Sequence, residues 1–297
     1  VVYNVRRVME ECLAIKPDLV FLWDEAWFAF ATFNPTYRPR TAMHAARTLR
    51  ERYRSEAYRE EYAAWKAEFD ALDPDDDATW LERRLLPDPE AVRIRAYATH
   101  STHKTLTSLR QGSMIHVWDQ DFRQKVEAPF HEAYMTHTST SPNYQIVASL
   151  DVGRMQAEME GFELVHAQVE AALSLREQLY THPLLQKYFR VLKNSDMVPA
   201  EYRESGVESY FDPVTGWNQM EEAWARDEFV VDPTRVTIAI GNTGVDGDAF
   251  KNEYLMNKYG IQINKTSRNT VLFMTNIGTT RGSIAYLLDV LIKLAKE

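Results

Sequence analysis

Cysteine is almost absent, because Cys12 is the only one in 297 residues. A single thiol cannot form an intrachain disulfide, which excludes a disulfide-built scaffold and fits a reducing compartment. No apolar run approaches the roughly 20 residues that a membrane span requires. The first residues also lack the order of charge, apolar block and small residues that marks a signal peptide. The sequence therefore predicts a cytoplasmic protein without a membrane partner.

Basic clusters are missing as well. Lys and Arg number 34 against 43 Asp and Glu, which gives a formal net charge of −9. Nucleic-acid binding calls for a clustered basic surface, so a nucleic-acid partner is not predicted. Hydrophobic residues make up 45% and charged residues 26% of the chain, as in ordinary globular proteins. The length suffices for one large or two ordinary domains.

The first part of the chain alternates helix and strand. Apolar residues at three- and four-residue steps predict a helix over 3–15. An all-apolar strand follows at 19–23, with Asp24 at its carboxyl end. This α/β pattern puts an acidic side chain where such sheets present residues to ligands. An alternating strand at 92–97 leads into Lys104, and a helix is predicted to start behind it at 105–110.

Further helices and strands continue to the end of the chain. The strongly charged region 41–72 is predicted to be helical with a solvated face. The helix predicted at 145–179 is long, and a helix of this length commonly joins two domains. We therefore predict domains at 1–160 and 161–297. The other predicted elements are a strand at 113–117, helices at 127–135, 249–259 and 283–294, a strand at 236–240, and a hairpin of 261–264 with 271–274.

Lys104 stands between groups that suit an amine with a chemical role. Ser101 and His103 precede it closely, and a lysine held between a hydroxyl and an imidazole is suited to forming a Schiff base. Asp24 could keep a pyridine nitrogen protonated, since opposite charges stabilise each other in a low-dielectric pocket. Ser101, His103 and the hydroxyls at 138–139 could bind a phosphate. Together these residues indicate a pyridoxal phosphate site.

Each of these signals has a plainer interpretation. An acid after an apolar strand is often a helix cap or turn residue. A lysine after a strand is often a surface amine. The histidines could be counted as a zinc cluster, but their spacing lacks a helical i, i+4 pair with a glutamate between, so no metal is predicted. The histidines concerned are His100, His103, His116, His131 and His137.

Several motifs in order point to one family. They are DEAW at 24–27, STHKTL at 101–106, QGSMIH at 111–116, HTSTSP at 137–142 with IVAS at 146–149, and the late segment 260–266. With these motifs the chain resembles the prokaryotic ornithine/lysine/arginine decarboxylases, which are fold-type-I pyridoxal phosphate enzymes. The resemblance implies an α/β, aspartate aminotransferase-like fold. Residues 1–160 would be the second half of a large domain with a mixed, mostly parallel sheet, and 161–297 a small α+β domain.

The resemblance also implies roles for residues around the amine. Lys104 matches the family's Schiff-base lysine and Asp24 the acid on the pyridine nitrogen. Ala26 would pack on the cofactor ring, and Trp27 would donate its indole N–H toward the ring's phenolic oxygen.

Phosphate binding is implied for three further residues. Ser101 and His103 match phosphate contacts within one subunit. Ser139 stands where the family usually has a threonine that reaches the phosphate of the neighbouring subunit. The resemblance therefore implies a homodimer with a shared active site, or a higher oligomer built on it.

The sequence departs from the family pattern in two ways. The family's phosphate loop, its ring-stacking histidine, its receiver-like amino-terminal domain and its final domain have no counterpart here, so the chain is expected to be a central portion of a longer protein. Asn264 stands where these enzymes often have a glutamate near the distal amine of the substrate. An asparagine can hydrogen-bond an ammonium group but supplies no charge.

Our interpretation is a lyase of amino acid and polyamine metabolism. It would decarboxylate an amino acid, with arginine, lysine and ornithine as the candidate substrates, and Lys104 or His103 would return the proton. The same fold also carries aminotransferases, aldolases and other lyases, and Asp24 with Lys104 does not distinguish among them. A non-catalytic chain that acts by association is the alternative outside enzymes.

Overall fold

The structure is a computed structural model that describes residues 1–212, 214, 216–217 and 220–297. The strands are β1 (Val2–Tyr3), β2 (Phe21–Asp24), β3 (Arg95–His100), β4 (Met114–Asp119), β5 (Arg190–Val191), β6 (Phe211–Asp212), β7 (Gly216–Trp217), β8 (Phe229–Val230), β9 (Arg235–Ala239), β10 (Lys265–Thr266) and β11 (Thr270–Met274).

Helices account for most of the remaining regular structure. The α-helices are α1 (Val5–Ile15), α2 (Ala42–Arg54), α3 (Glu56–Phe69), α4 (Asp77–Leu81), α5 (Thr102–Thr105), α6 (Glu127–His137), α7 (Tyr144–Thr181), α8 (Leu185–Tyr188), α9 (Asn194–Met197), α10 (Met220–Arg226), α11 (Gly247–Ala249) and α12 (Arg281–Lys296). Short 3₁₀ helices cover Ala29–Phe33, Arg38–Arg40, Ala200–Tyr202 and Gly241–Thr243, and π-helical segments cover Phe122–Val126 and Phe250–Asn257.

The chain divides into two compact units. One unit is Asn4–Met155, and the other combines Val1–Tyr3 with Gln156–Glu297. Each has its own cluster of buried apolar side chains. The assignment of 1–160 and 161–297 to the large and small domains of a longer enzyme stays a prediction.

The Asn4–Met155 unit is built on a mixed three-stranded sheet in the order β2-β3-β4. Strands β2 and β3 are parallel, with Asp24 opposite Thr99, and β3 and β4 are antiparallel. Helices α1 and α2 pack on the sheet and bury Met9 and Leu49 with Ile94. This arrangement brings the carboxyl ends of β2 and β3 to one edge of the sheet.

The second unit has a four-stranded antiparallel sheet in the order β10-β11-β9-β5. Alternate residues of β9 and its continuation, Val236, Ile238 and Ile240, are fully buried, as a period of two requires. They pack with Leu175 of α7 and Val290 of α12. The predicted strand at 236–240 and closing helix at 283–294 are thus confirmed within one or two residues.

The helix predicted at 105–110 is wrong. Helix α5 instead covers Thr102–Thr105, so Lys104 lies within a single helical turn, and the helix ends at Leu106. The following backbone is held by α7, because Leu109 N donates to Ser149 Oγ at 2.9 Å. Contacts 40 residues away therefore override the local helix preference.

Two other predictions need correction. The region 41–72 is helical as predicted, in two helices, because Ser55 ends α2 and caps α3 by accepting from Tyr58 N. Its charged face is not wholly solvated, since Arg52 reaches the buried Glu10. The first strand of the late hairpin is Lys265–Thr266 rather than 261–264.

Candidate functional site

The predicted acid and the predicted amine leave the sheet at the same edge. Strand β2 ends at Asp24, and β3 ends at His100, just before the turn that carries Lys104. The two strands are neighbours and parallel. Ligands in α/β sheets bind outside the carboxyl ends of such strands.

The turn after β2 is tied to its own backbone and to β3. Asp24 is exposed, and its Oδ1 accepts the N–H of Ala26 at 3.0 Å. Glu25 N donates to Thr99 O at 3.1 Å, and Phe28 N donates to Glu25 O at 2.9 Å. The DEAW segment is therefore a fixed turn, with the Asp24 carboxylate on its solvent side.

Lys104 contacts Trp27. Its Nζ lies 4.7 Å from the centroid of the indole ring, a cation–π distance. Both side chains are half-buried. Lys104 N donates to Ser101 O at 3.0 Å, which closes the helical turn beneath the amine. The structure thus brings together two side chains that the motifs alone only suggest are close.

The imidazole of His103 is held by a backbone carbonyl. Its Nδ1 donates to Gly112 O at 3.0 Å, and Thr102 Oγ1 donates to the same oxygen at 3.2 Å. A Cβ at Gly112 would lie 2.5 Å from Ser108 Oγ and 2.9 Å from Leu150 Cδ2, so a larger residue there would make these side chains shift. The ring is therefore oriented by the strand-entry loop before β4.

The other predicted site residues have different surroundings. Ser101 is half-buried at the start of α5. Ser139 is exposed between α6 and α7, where its Oγ accepts Ser141 N at 3.0 Å. Asn264 belongs to the second unit and is half-buried, with its backbone N donating to Leu272 O at 3.1 Å.

Two buried polar side chains and one half-buried imidazole behind the site were not predicted as site residues. Glu25 Oε2 accepts from His100 Nε2 at 2.8 Å, and Glu25 Oε1 accepts from Ala42 N at 2.6 Å. The ring of His116 on β4 lies 4.3 Å from that of His100. Burial, and then the nearby His100, lowers the pKa of His116. The available signal was the period of two along β3, which buries His100 together with Ala96 and Ala98.

The described residues were also compared with what a metal site and a membrane span require. Across these parts of the chain, no group of three or more His, Cys, Asp or Glu side chains could hold a metal ion. No helix among them combines the length and apolar character that crossing a membrane would take.

The sequence model of one protein family matches most of the chain. The sequence model for "Orn/Lys/Arg decarboxylase, major domain" matches residues 85–283. The chain belongs to this family. Among the candidate site residues, the family match includes Ser101, His103, Lys104, Ser139 and Asn264.

Relatives in the Orn/Lys/Arg decarboxylase family match nearly the whole chain. A lysine decarboxylase of Pseudomonas aeruginosa is 27% identical over 295 residues, covering 93% of this chain and 33% of its own length. The biodegradative arginine decarboxylase of Escherichia coli is 24% identical, covering 98% and 36%. The chain therefore spans about a third of the length of these relatives.

Solved structures from the Orn/Lys/Arg decarboxylase family have the same fold. Lysine decarboxylase A from Pseudomonas aeruginosa aligns with a TM-score of 0.65 and 26% identity, over 99% of this chain and 35% of that one. A lysine decarboxylase of Francisella novicida aligns with a TM-score of 0.61 at 23% identity, over 99% and 34%. The predicted fold-type-I, aspartate aminotransferase-like α/β fold is confirmed, with one parallel and one antiparallel pairing in the sheet beneath the site.

Proposed function

We propose that the protein is a pyridoxal phosphate-dependent amino acid decarboxylase that acts on arginine, lysine or ornithine and releases CO₂ and an amine. The observation that carries the proposal is the contact between Lys104 Nζ and the Trp27 ring at the edge where Asp24 ends its strand. The names of the relatives, lysine and arginine decarboxylases, support the reaction.

The chemistry of the donors fits pyridoxal phosphate. Lys104 offers an amine, and Asp24 an exposed carboxylate on the neighbouring strand. Ser101 and His103 offer a hydroxyl and an imidazole for a phosphate, and Ala26 and Trp27 offer surface for a planar ring. When bound, the cofactor supplies an electron sink for the pair left at Cα as the carboxylate departs.

Each side chain then has a defined task. Lys104 would hold the cofactor through its Nζ. The negative charge of Asp24 would favour the protonated form of the cofactor's ring nitrogen. The indole of Trp27 covers one side of Nζ and excludes water there. Lys104 Nζ or the His103 ring holds the proton that replaces the carboxylate at Cα.

Asn264 bears on the choice of substrate. Its amide can hydrogen-bond the distal ammonium or guanidinium of a basic amino acid but adds no charge. We expect Asn264→Glu to lower KM for the preferred basic substrate, with kcat changed less. A panel of arginine, lysine and ornithine with CO₂ detection measures this, and an unchanged KM for all three would remove Asn264 from the substrate site.

A homodimer with shared sites, in the cytoplasm, is the proposed assembly. Exposed apolar side chains around Ser139 support it, since contiguous apolar surface marks interaction sites. Each of the following is more than half exposed: Tyr134, Met135, Tyr144, Val147 and Val152. If Lys104 and Ser139 come from different subunits of one site, mixing Lys104→Ala and Ser139→Ala proteins restores activity that neither variant has. If the mixture stays inactive although each variant is folded, Ser139 does not belong to a shared site.

Borohydride reduction of the purified protein with pyridoxal phosphate tests the cofactor site. Peptide mapping should find the pyridoxyl group on Lys104, and Lys104→Ala should abolish both labelling and CO₂ release. A label on another lysine would overturn the site. A keto acid in place of CO₂ would identify an aminotransferase.

A further inference from the structure

A buried acid–imidazole pair lies directly behind the candidate site. Glu25 follows the exposed Asp24 but is itself only 5% exposed. His100, the last residue of β3, is 7% exposed, and its Nε2 donates to Glu25 Oε2 at 2.8 Å. Both residues belong to the Asn4–Met155 unit.

Burial of the Glu25 carboxylate has to be compensated. Removing an ionised carboxylate from water costs several kcal/mol unless hydrogen bonds replace the lost hydration. Besides the bond from His100, Oε1 accepts from Ala42 N at 2.6 Å, and Ala42 is the first residue of α2. A helix amino terminus favours negative charge. Glu25 is therefore fixed from both β3 and α2.

The pair connects the two segments that carry the site. Glu25 lies between Asp24 and Ala26, whereas His100 immediately precedes the turn that contains Lys104. This side-chain bond joins the end of β2 to the end of β3 beside the backbone bond from Glu25 N to Thr99 O. The two bonds restrict how far the turn after β2 can move from the turn that carries Lys104.

The surroundings of His100 leave its bond to Glu25 undisturbed. His116 packs on it from β4, with 4.3 Å between ring centroids, and α2 contributes the N–H of Ala42 to the same carboxylate. In the described part of the chain, His116 Nε2 has no hydrogen-bond partner. Because burial lowers the pKa of His116, this ring is neutral at pH 7 and does not compete as a cation for Glu25.

We propose that Glu25 and His100 are positioning residues that hold the turn 24–27 against the turn 101–105, and so set the separation of Asp24 and Lys104. The inference rests on the proposed function. Both residues are buried, and both act through their neighbours in the chain. Displacement of a reacting group by about 1 Å can cost about a hundredfold in rate, so a small relaxation of this bond is measurable.

Four variants separate positioning from general stability. Glu25→Ala and His100→Leu remove the bond, whereas His100→Gln keeps a side-chain N–H that can donate to Glu25. Tyr97→Phe is the matched control. It removes a 2.6 Å hydrogen bond to Asp119 from the same strand, β3, but leaves both turns untouched.

Two measurements are made on the purified protein. The first is hydrogen exchange without cofactor. We expect residues 24–27 and 101–105 to exchange about tenfold faster in Glu25→Ala and His100→Leu, and within about twofold of wild type in His100→Gln and Tyr97→Phe. The second is borohydride trapping at limiting pyridoxal phosphate. Labelling of Lys104 should fall about tenfold in the first two variants and recover in His100→Gln.

The outcomes keep the two proposals apart. If wild-type Lys104 takes no label, the proposed function fails, and hydrogen exchange alone still decides whether the pair positions the turns. If Lys104 is labelled equally in all variants and exchange is unchanged, the positioning role is overturned and the function stands. Faster exchange throughout α1, α2 and the sheet would mean a general loss of stability, which also overturns positioning.

Discussion

The contact between Lys104 and Trp27 depends on an aromatic face. Cation–π contacts contribute about 0.5–1 kcal/mol at exposed sites and more when desolvated. We predict that Trp27→Leu lowers the free energy of unfolding by about 1 kcal/mol more than Trp27→Phe, because phenylalanine keeps a ring face for Nζ. Urea unfolding of both variants measures the difference. Equal losses would mean that the 4.7 Å contact contributes nothing to folding.

His116 makes stability depend on pH in a defined direction. Burial lowers its pKa below the ordinary 6.5, so the unfolded chain binds a proton at a higher pH than the folded chain does. Stability therefore falls as the pH drops below about 6.5. We predict that, between pH 7.5 and 5.5, the free energy of unfolding of His116→Asn falls by about 1 kcal/mol less than that of the wild type.

Urea titrations at the two pH values test the His116 prediction. His131→Asn, in the exposed helix α6, is the matched substitution. A wild-type pH dependence in His116→Asn would show that other groups cause the loss.

Single side chains differ in how well the sequence predicts them. Asp24 ends a clear strand and Lys104 follows one closely, so the sequence places both near the carboxyl ends of strands. The pairing of Glu25 with His100 does not, because it spans 75 positions and depends on which two strands are neighbours. Asp24 is exposed whereas the next residue, Glu25, is buried. A hydropathy pattern cannot distinguish two adjacent acidic residues.

Helix α7 packs closely against the loop behind Lys104. A Cβ at Gly153 would collide with the backbone oxygen of Thr107, whereas a Cβ at Gly282 in α12 would meet Thr280 Oγ1 at an ordinary 3.6 Å. We predict that Gly153→Ala destabilises by about 1–3 kcal/mol through overpacking. Gly282→Ala should instead be close to neutral, within about 0.5 kcal/mol, because Gly282 lies exposed in the first turn of α12 and the added Cβ makes only ordinary contacts.

Thermal unfolding of the two glycine variants, with borohydride labelling of Lys104, checks this. Labelling should fall in Gly153→Ala and stay unchanged in Gly282→Ala. Two variants of equal stability would contradict the close approach of α7 to the loop.

The sequence predicts long elements better than short ones. Helices α1 and α12 follow from apolar spacing over eleven or more residues. Helix α5 has four residues, too few for any period to emerge. Its boundaries come from the Ser149 and Gly112 contacts, which no local pattern encodes.

Each of the two units has its own apolar core, so a core substitution is expected to affect mainly the unit that contains it. Leu49 is fully buried in the core of the Asn4–Met155 unit, and Ile238 is fully buried in that of the other. A core Leu→Ala or Ile→Ala substitution costs about 2–5 kcal/mol. We predict that Leu49→Ala and Ile238→Ala each accelerate hydrogen exchange chiefly in their own unit, since each core is its own packing unit. Equal acceleration in both units would indicate a single cooperative fold.

The domain arrangement was predictable only in outline. A long helix in the middle of the chain indicated two domains, and the boundary between the two compact units lies within α7. The first three residues of the chain also belong to the later unit, through the pairing of β1 with β8. Such a short pairing leaves no sequence signal, because two-residue strands have no measurable alternation.

The carbonyl of Gly112 determines how His103 can bind an anion. Since that oxygen can only accept, Nδ1 carries the hydrogen, and in the neutral ring Nε2 is an acceptor. The carbonyl therefore fixes the tautomer and makes Nε2 the ring atom through which His103 would contact a ligand. Nitrogen NMR of histidine-labelled protein would read this tautomer directly, and a neutral ring with its hydrogen on Nε2 would contradict it.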